Sequence, residues 1–121
     1  MSSDTKPAAP SNIFTQIIQR KIPANIRYED DLCIAFDDIN PQSPVHVLLI
    51  PKKMIAGHNH VETKDLTLMG HLIIKAKEIA QKMGLNQGWR LVINEGKEGA
   101  QTVPHLHIHI LGGRAMKWPP G

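Results

Sequence analysis

From Asn12 the apolar residues Ile13, Phe14, Ile17 and Ile18 fall on one face at helical spacing, with Ser11 or Asn12 placed as the N-cap and Pro23 ending the run. The pattern then shortens to β-type runs. Ile26–Tyr28 and Leu32–Phe36 read as strands separated by the turn-like Glu29-Asp30-Asp31. Val45–Ile50 is a third, β-branched and apolar except for His46, between the rigid loop Asn40-Pro41-Gln42-Ser43-Pro44 and Pro51. After a polar, irregular stretch over residues 52–62, Leu66, Met69, Leu72, Ile73, Ala76, Ala80 and Met83 trace a helical face over about five turns. Gly84 follows as a left-handed C-cap, with Leu85 placed for the accompanying apolar contact. Trp89–Asn94 alternates as a strand, Glu95–Thr102 is a glycine-containing loop, and Val103–Leu111 reads as the last strand before Gly112-Gly113 and the Pro-rich end Trp118-Pro119-Pro120-Gly121.

Helix, strands, long helix, strands is an α+β order. It predicts an antiparallel sheet of about five strands with one long and one short helix, both covering the apolar face and leaving the other for a ligand or partner. Residues 1–11 read as a disordered tail and residues 12–121 as a single domain without repeats. With only two Phe, two Trp and one Tyr the core is aliphatic, and a core this small is helped by a partner subunit. No apolar run approaches the roughly 20 residues of a membrane helix, and Met1–Ser11 lacks the features of a secretory signal. A lone cysteine, Cys33, excludes an internal disulfide and points to a reducing compartment, cytosol or nucleus. The net charge of +3 is spread without basic clusters, so no specific nucleic-acid or membrane partner is expected.

Three of the seven histidines fall between His105 and His109. In a strand, His105, His107 and His109 share one face while Leu106, Ile108 and Ile110 point to the core. Three imidazoles on one face serve stability badly, because each needs a hydrogen-bond partner if buried. Two chemistries fit. His-x-His can give two ligands to a zinc ion, but positions i and i+4 lie about 13 Å apart, so a third ligand has to come from elsewhere, such as His46. Alternatively a neutral imidazole attacks phosphorus and forms a labile phospho-histidine. The middle histidine is best placed for this, with neighbouring ring nitrogens to set its tautomer and Asn94, Gln101, Thr102 and the amides of the loop as donors. The second chemistry accounts for more residues.

His-φ-His-φ-His-φ-φ, with φ apolar, resembles the signature of the histidine triad superfamily. The surrounding sequence is similar to its histidine triad nucleotide-binding branch, the purine nucleoside phosphoramidases. The resemblance spans residues 13–121 through Ile22-Pro23-Ala24, Glu29-Asp30-Asp31, Phe36-Asp37-Asp38-Ile39, Ile50-Pro51-Lys52-Lys53, Gly70-His71-Leu72, Val92-Ile93-Asn94-Glu95-Gly96 and Leu111-Gly112-Gly113-Arg114. Met116-Lys117-Trp118-Pro119-Pro120-Gly121 resembles this branch in particular. Two positions depart from the pattern: Thr102 stands where Ser is common, and Pro104 where an aromatic residue is frequent.

The resemblance implies a two-fold homodimer of HIT-like fold, with each C-terminal tail near the partner's site. It implies hydrolysis of adenosine or guanosine 5′-phosphoramidates to nucleoside monophosphate and amine, with neither metal nor cofactor. By the same resemblance His107 is the nucleophile, His109 assists proton transfer at the phosphate or leaving group, and His105 and His46 support the array. Asp38 takes the ribose hydroxyls. Phe14, Ile17, Ile18, Ile22, Phe36 and Ile39 form the cleft for the base, and Asn94, Gln101 and Thr102 contact the phosphate and leaving group. Dinucleoside polyphosphate hydrolysis and a nucleotide-binding interaction module are the alternatives. His58, His60 and His71 match no role and read as surface or packing residues.

Overall fold

The two central strands are apolar at consecutive positions, Cys33-Ile34-Ala35-Phe36 in β2 (Cys33–Asp37) and Val47-Leu48-Leu49-Ile50 in β3 (Val45–Pro51). Successive strand residues point to opposite faces, so strands of this kind require cover on both sides. The computed structural model, which describes residues 12–121, provides it with one helix on each face. The long helix α2 (Leu66–Lys82) lays Leu72, Ala76, Ile79 and Ala80 on the face formed by Cys33, Ala35, Val47, Leu49, Ile108 and Ile110. The short helix α1 (Ile13–Ile18) lays Phe14 and Ile17 on the opposite face, against Ile34, Phe36, Leu48 and Ile50. The expectation that both helices share one face is thus corrected, and the doubly apolar strands are the physical reason.

The sheet is five-stranded and antiparallel, in the order β1 (Ile26–Glu29), β2, β3, β5 (Ile108–Gly112), β4 (Trp89–Val92). Asn12 caps α1: its Oδ1 accepts from the amides of Phe14 and Thr15 at 2.8 and 2.9 Å, and Thr15 Oγ1 accepts from the Asn12 amide at 2.9 Å. Ser11, the other cap candidate, and the proposed tail over residues 1–11 lie outside the described residues.

Two element assignments change. On α2 the buried stripe includes Ile79, whereas Leu66 and Ile73 are 75% and 46% exposed: Ile73 is one residue, about 100° of helix, away from buried Leu72. The helix ends as expected, with Gly84 at φ +79°, its amide donating to Gln81 O and the Leu85 amide to Ala80 O, each at 3.0 Å. The final strand is shorter than Val103–Leu111. The His105 amide donates locally to Val103 O and the Leu106 amide to Ile55 O, and Pro104 has no amide to offer, so these residues approach the sheet as a turn and join it only at Ile108. No helix among the described residues is long and apolar enough to cross a membrane.

Because the two faces carry separate apolar cores, each should contribute to stability. Leu72→Ala and Ile17→Ala are each expected to lower the unfolding free energy in urea by about 2–5 kcal/mol. A silent Ile17→Ala would show that the α1 face is not a second core.

Candidate active site

Strand register gathers the chemistry on the α1 face. In β3, His46, Leu48 and Ile50 share a face by alternation, and β5 brings His109 directly opposite Leu48. His46 and His109 are therefore diagonal neighbours, with ring centroids 5.1 Å apart. Ile34, Phe36 and Asp38 follow the same alternation from β2, and the Asp38 amide donating to His46 O at 3.0 Å extends the ladder to that carboxylate. His107 lies beside His109, rings 5.0 Å apart, and its other side meets the edge of Phe14 at 5.0 Å. His105 follows, 6.0 Å from the same phenyl ring.

The hydrogen bonds determine which nitrogen of each ring carries a proton. His107 Nδ1 lies 2.6 Å from the His105 carbonyl, which can only accept, so Nδ1 is protonated and a neutral His107 keeps a free electron pair on Nε2. The carbonyl of its neighbour, rather than a ring nitrogen, therefore sets its tautomer. His105 turns its own ring away, and its Nε2–H donates to Pro51 O at 3.1 Å. The His105 Nδ1 has no hydrogen-bond partner among the described residues, and the ring is fully buried. On the other side, the Gln42 amide donates to His46 Nδ1 at 3.0 Å, which leaves the His46 proton on Nε2. That Nε2–H donates to His109 Nδ1 at 2.8 Å, so neutral His109 carries its proton on Nε2.

Burial favours the neutral form of His46, His105 and His109. It is the largest influence on His46 and His105 and moves both below the usual imidazole value; Asp38, 3.4 Å from His46 Nε2, partly opposes it at His46. His109 falls to about 4, through burial first and then through the positive charge that His107 and His46 bear when protonated, with Asp38 acting in the opposite direction.

A cleft of about 370 Å³ opens beside the array, within the size range of small-molecule sites. Phe14, Ile17, Ile22 and Phe36 supply apolar walls; Asp38, Thr102, His107 and His109 supply polar groups, and Ile39 stands at the mouth, 91% exposed. The remaining candidates lie elsewhere. Ile18 packs on the apolar core behind the cleft, and His46 lies buried behind His109. Asn94 and Gln101 do not line the cleft: Asn94 Nδ2 donates to Gly99 O at 2.7 Å, while Gln101 Nε2 donates to Ala56 O at 2.8 Å and its Oε1 accepts from the Gly96 amide at 3.0 Å. Both side chains shape the loop that presents Thr102. Leu48, Val103, Pro23 and Ala24 line the cleft without having been given a site role. For Leu48 the signal was its two-residue spacing from His46. Pro23 and Ala24 arrive through the bend after α1, and their place in the Ile22-Pro23-Ala24 motif beside Ile22 was the signal for them.

Among the described residues, two groups bring metal-ligating atoms together: Asp38, His46 and His109, and, on the other side of the sheet, Asp30, Cys33 and His71. In the second, burial raises the Asp30 pKa, but hydrogen bonds from Tyr28, the Leu32 amide, His71 and the Cys33 amide outweigh it and hold the carboxylate well below its usual range. The Cys33 thiol is pushed up to about 12, chiefly by burial and then by Asp30. A protonated thiol against a saturated carboxylate is a hydrogen-bond network that holds β1, β2 and α2 together, and it gives His71 a packing role. His58 and His60 are exposed in a short 3-10 turn.

The sequence profile of the HIT domain matches residues 19–116. An uncharacterized HIT-like protein of Synechocystis is 58% identical over 113 residues, covering 93% of this chain and 99% of the relative. The crystal structure of a HIT family hydrolase from Legionella pneumophila superimposes with a TM-score of 0.90 at 48% identity, covering 92% of this chain and all of that one. A histidine triad nucleotide-binding protein from Candida albicans gives a TM-score of 0.76 at 27% identity, over 90% of this chain and 83% of its own.

The neutral histidines make stability depend on pH. In the unfolded chain they take up protons near 6.5, whereas in the folded chain His46, His105 and His109 do so only at lower pH, so the unfolded state binds more protons in between. Their contribution is complete above about 6.5 and declines as pH falls toward 4, by up to about 3 kcal/mol for His109. Urea midpoints measured between about pH 7.5 and 5.5, above most of the range where carboxylates titrate, should decrease as the pH is lowered, and His105→Phe should flatten the slope. Rising stability over that window would contradict the assignment.

Proposed function

The chain belongs to the HIT domain family, and on that premise we propose that it hydrolyses the P–N bond of purine nucleoside 5′-phosphoramidates, as the nucleotide-binding branch of the histidine triad superfamily does. The observation that carries this reading is the 2.6 Å hydrogen bond from His107 Nδ1 to the His105 carbonyl. It orients a neutral imidazole with its Nε2 electron pair available beside an apolar cleft. The likeness to a HIT family hydrolase and to a nucleotide-binding protein supports the same class of substrate.

His107 Nε2 attacks phosphorus, and the P–N bond breaks to leave a nucleotidyl-histidine. The nitrogen departs as the amine, taking the proton on His109 Nε2, while the His46 Nε2–H bonded to His109 Nδ1 stabilises the electron density left on that ring. Water then attacks the same phosphorus, returns a proton to His109 and releases the nucleoside monophosphate from His107. Asp38 accepts from the ribose hydroxyls: its Oδ1 takes the Asn40 amide at 2.8 Å and keeps lone pairs in reserve. The purine lies between the apolar walls of Phe14, Ile17, Ile22 and Phe36. Thr102 contributes a hydroxyl near the leaving group.

A two-fold dimer belongs to this proposal. Leu66, Ile73 and Ile74 leave α2 with exposed apolar residues of the kind a second copy covers, and Trp118 in the C-terminal tail is 82% exposed and available to the partner's site.

Turnover of a fluorogenic adenosine 5′-phosphoramidate, with and without EDTA, is the direct test. His107→Ala should lose at least about a thousandfold in kcat/KM, about 4 kcal/mol of transition-state stabilisation, while the wild type ignores EDTA. A mutant that keeps its activity would overturn the nucleophile assignment. A wild type that binds the monophosphate without turning over the phosphoramidate would favour a binding module, and one that cleaves only dinucleoside polyphosphates would favour that hydrolase branch.

A further inference from the structure

The Gly112-Gly113-Arg114 turn that closes β5 has no part in the chemistry above, yet it folds directly over the loop that precedes β3. Val45 pairs with Gly112 at the end of the β3–β5 ladder. Gly113 has φ +92°, and a Cβ there would stand 2.9 Å from Pro44 Cβ, so both its conformation and the space beside it call for glycine. This close approach delivers Arg114 to the loop. Its Nε and Nη2 donate together to the Gln42 carbonyl, at 3.3 and 3.1 Å, and its Nη1 donates to Ala115 O at 3.1 Å.

Gln42 is the residue whose amide donates to His46 Nδ1. Its carbonyl and its amide belong to the two peptide units that flank one Cα, so a fork holding the first restricts where the second points. From Arg114 the chain of contacts is continuous: guanidinium to Gln42 carbonyl, Gln42 amide to His46 Nδ1, His46 Nε2 to His109 Nδ1 at 2.8 Å. We propose that Arg114 is a positioning residue of the active site: by holding Gln42 it keeps the loop amide on His46 and thereby keeps the His109 proton on Nε2, the nitrogen on the cleft side.

The alternation of donors explains why one distant contact matters. A ring nitrogen that accepts cannot also carry a proton, so with the amide on His46 Nδ1 the only neutral arrangement that preserves the His46–His109 bond has both protons on Nε2. Once the amide turns away, His46 can carry its proton on Nδ1 and accept from His109 Nδ1–H. In that reversed arrangement His109 presents a bare nitrogen to the cleft and has no proton for a leaving group. Arg114 is solvent-exposed and bonds to neither His46 nor His109, so its effect passes through the loop alone.

The catalytic part of this inference rests on the phosphoramidase reading, whereas the tautomers can be read without substrate. Long-range 1H–15N spectra of the full chain labelled in histidine, at pH 7.5, should show Nδ1 of His46 and His109 at unprotonated positions and Nε2 of both at protonated ones. In Arg114→Ala the two nitrogens of each ring should move toward each other. With adenosine 5′-phosphoramidate, kcat should fall about tenfold while KM changes less than about twofold, the split expected when a proton donor is misplaced and binding is intact. Arg114→Lys, which retains the charge but not the fork, should shift the same signals by less, and it serves as the second variant if Arg114→Ala does not fold. Arg90→Ala removes the other arginine contact to the tail, a 2.8 Å bond from Nη2 to Lys117 O, and should leave the ring signals unchanged. Protonated Nδ1 on wild-type His46, unchanged rings in both Arg114 variants, or equal shifts in Arg90→Ala would each overturn the proposal. Wild-type tautomers as described, responsive to Arg114, in a protein that does not turn over the phosphoramidate would instead overturn the substrate reading and leave the positioning role standing.

Discussion

The pairing of β3 with β5 is the constraint on which the rest of the structure depends. Its register sets Leu48 opposite His109, so His46 and His109 become diagonal neighbours whose nitrogens meet at 2.8 Å. A one-residue slip would turn His46 and Leu48 into the α2 core and Val47 and Leu49 into the cleft, exchanging the chemical face for the packing face. The apolar residues of the two strands guard against this slip only weakly, because both faces are apolar. The register is held at the ends of the ladder, by Pro51 O accepting from His105 Nε2 at one end and by the close seat of Gly113 on Pro44 at the other. Residues of the triad and of the closing turn therefore build the strand pairing that in turn places the triad.

The same pairing requires four imidazoles to sit together in a largely apolar setting, and it does so by supplying partners from the backbone. The carbonyls of His105 and Pro51 and the amide of Gln42 hold His107, His105 and His46 respectively, and His46 holds His109. Backbone groups in a rigid sheet and a proline-bounded loop reorganise little, so the proton positions exist before any ligand arrives. Preorganised dipoles of this kind help a reaction because no rearrangement is needed at the moment of bond breaking. The cost falls on stability below neutral pH, since a buried neutral histidine resists protonation that the unfolded chain accepts.

Much of the fold was legible because local physical rules governed it. Asn12 and the spacing of Phe14 and Ile17 announced α1; Gly84 and Leu85 announced the end of α2; the three early β runs and Trp89 onward matched strands closely. The errors share a cause. Assigning both helices to one face treated β2 and β3 as half-buried strands, although their consecutive apolar residues carried the opposite message. The strand drawn through Val103–Leu111 relied on perfect alternation, but alternation describes where side chains point and not where amides find partners, and those of His105 and Leu106 find theirs in a turn.

Among the site residues the division is similar. The sequence alone marked which side chains are candidates for chemistry, because His-x-His-x-His beside an apolar alternation has few structural uses, and it ordered them along one segment. Tertiary structure decided where each of them stands and what it bonds. It took Asn94 and Gln101 out of the cleft and into the loop beside it, put His105 behind the array, and assigned the proton on His46 to one nitrogen through the backbone of Gln42. Those roles depend on contacts between residues far apart in the chain, made largely by main-chain groups. Every residue type except proline offers the same amide and carbonyl, so no side-chain pattern could have marked Gln42 or His105 O as the groups that set the tautomers.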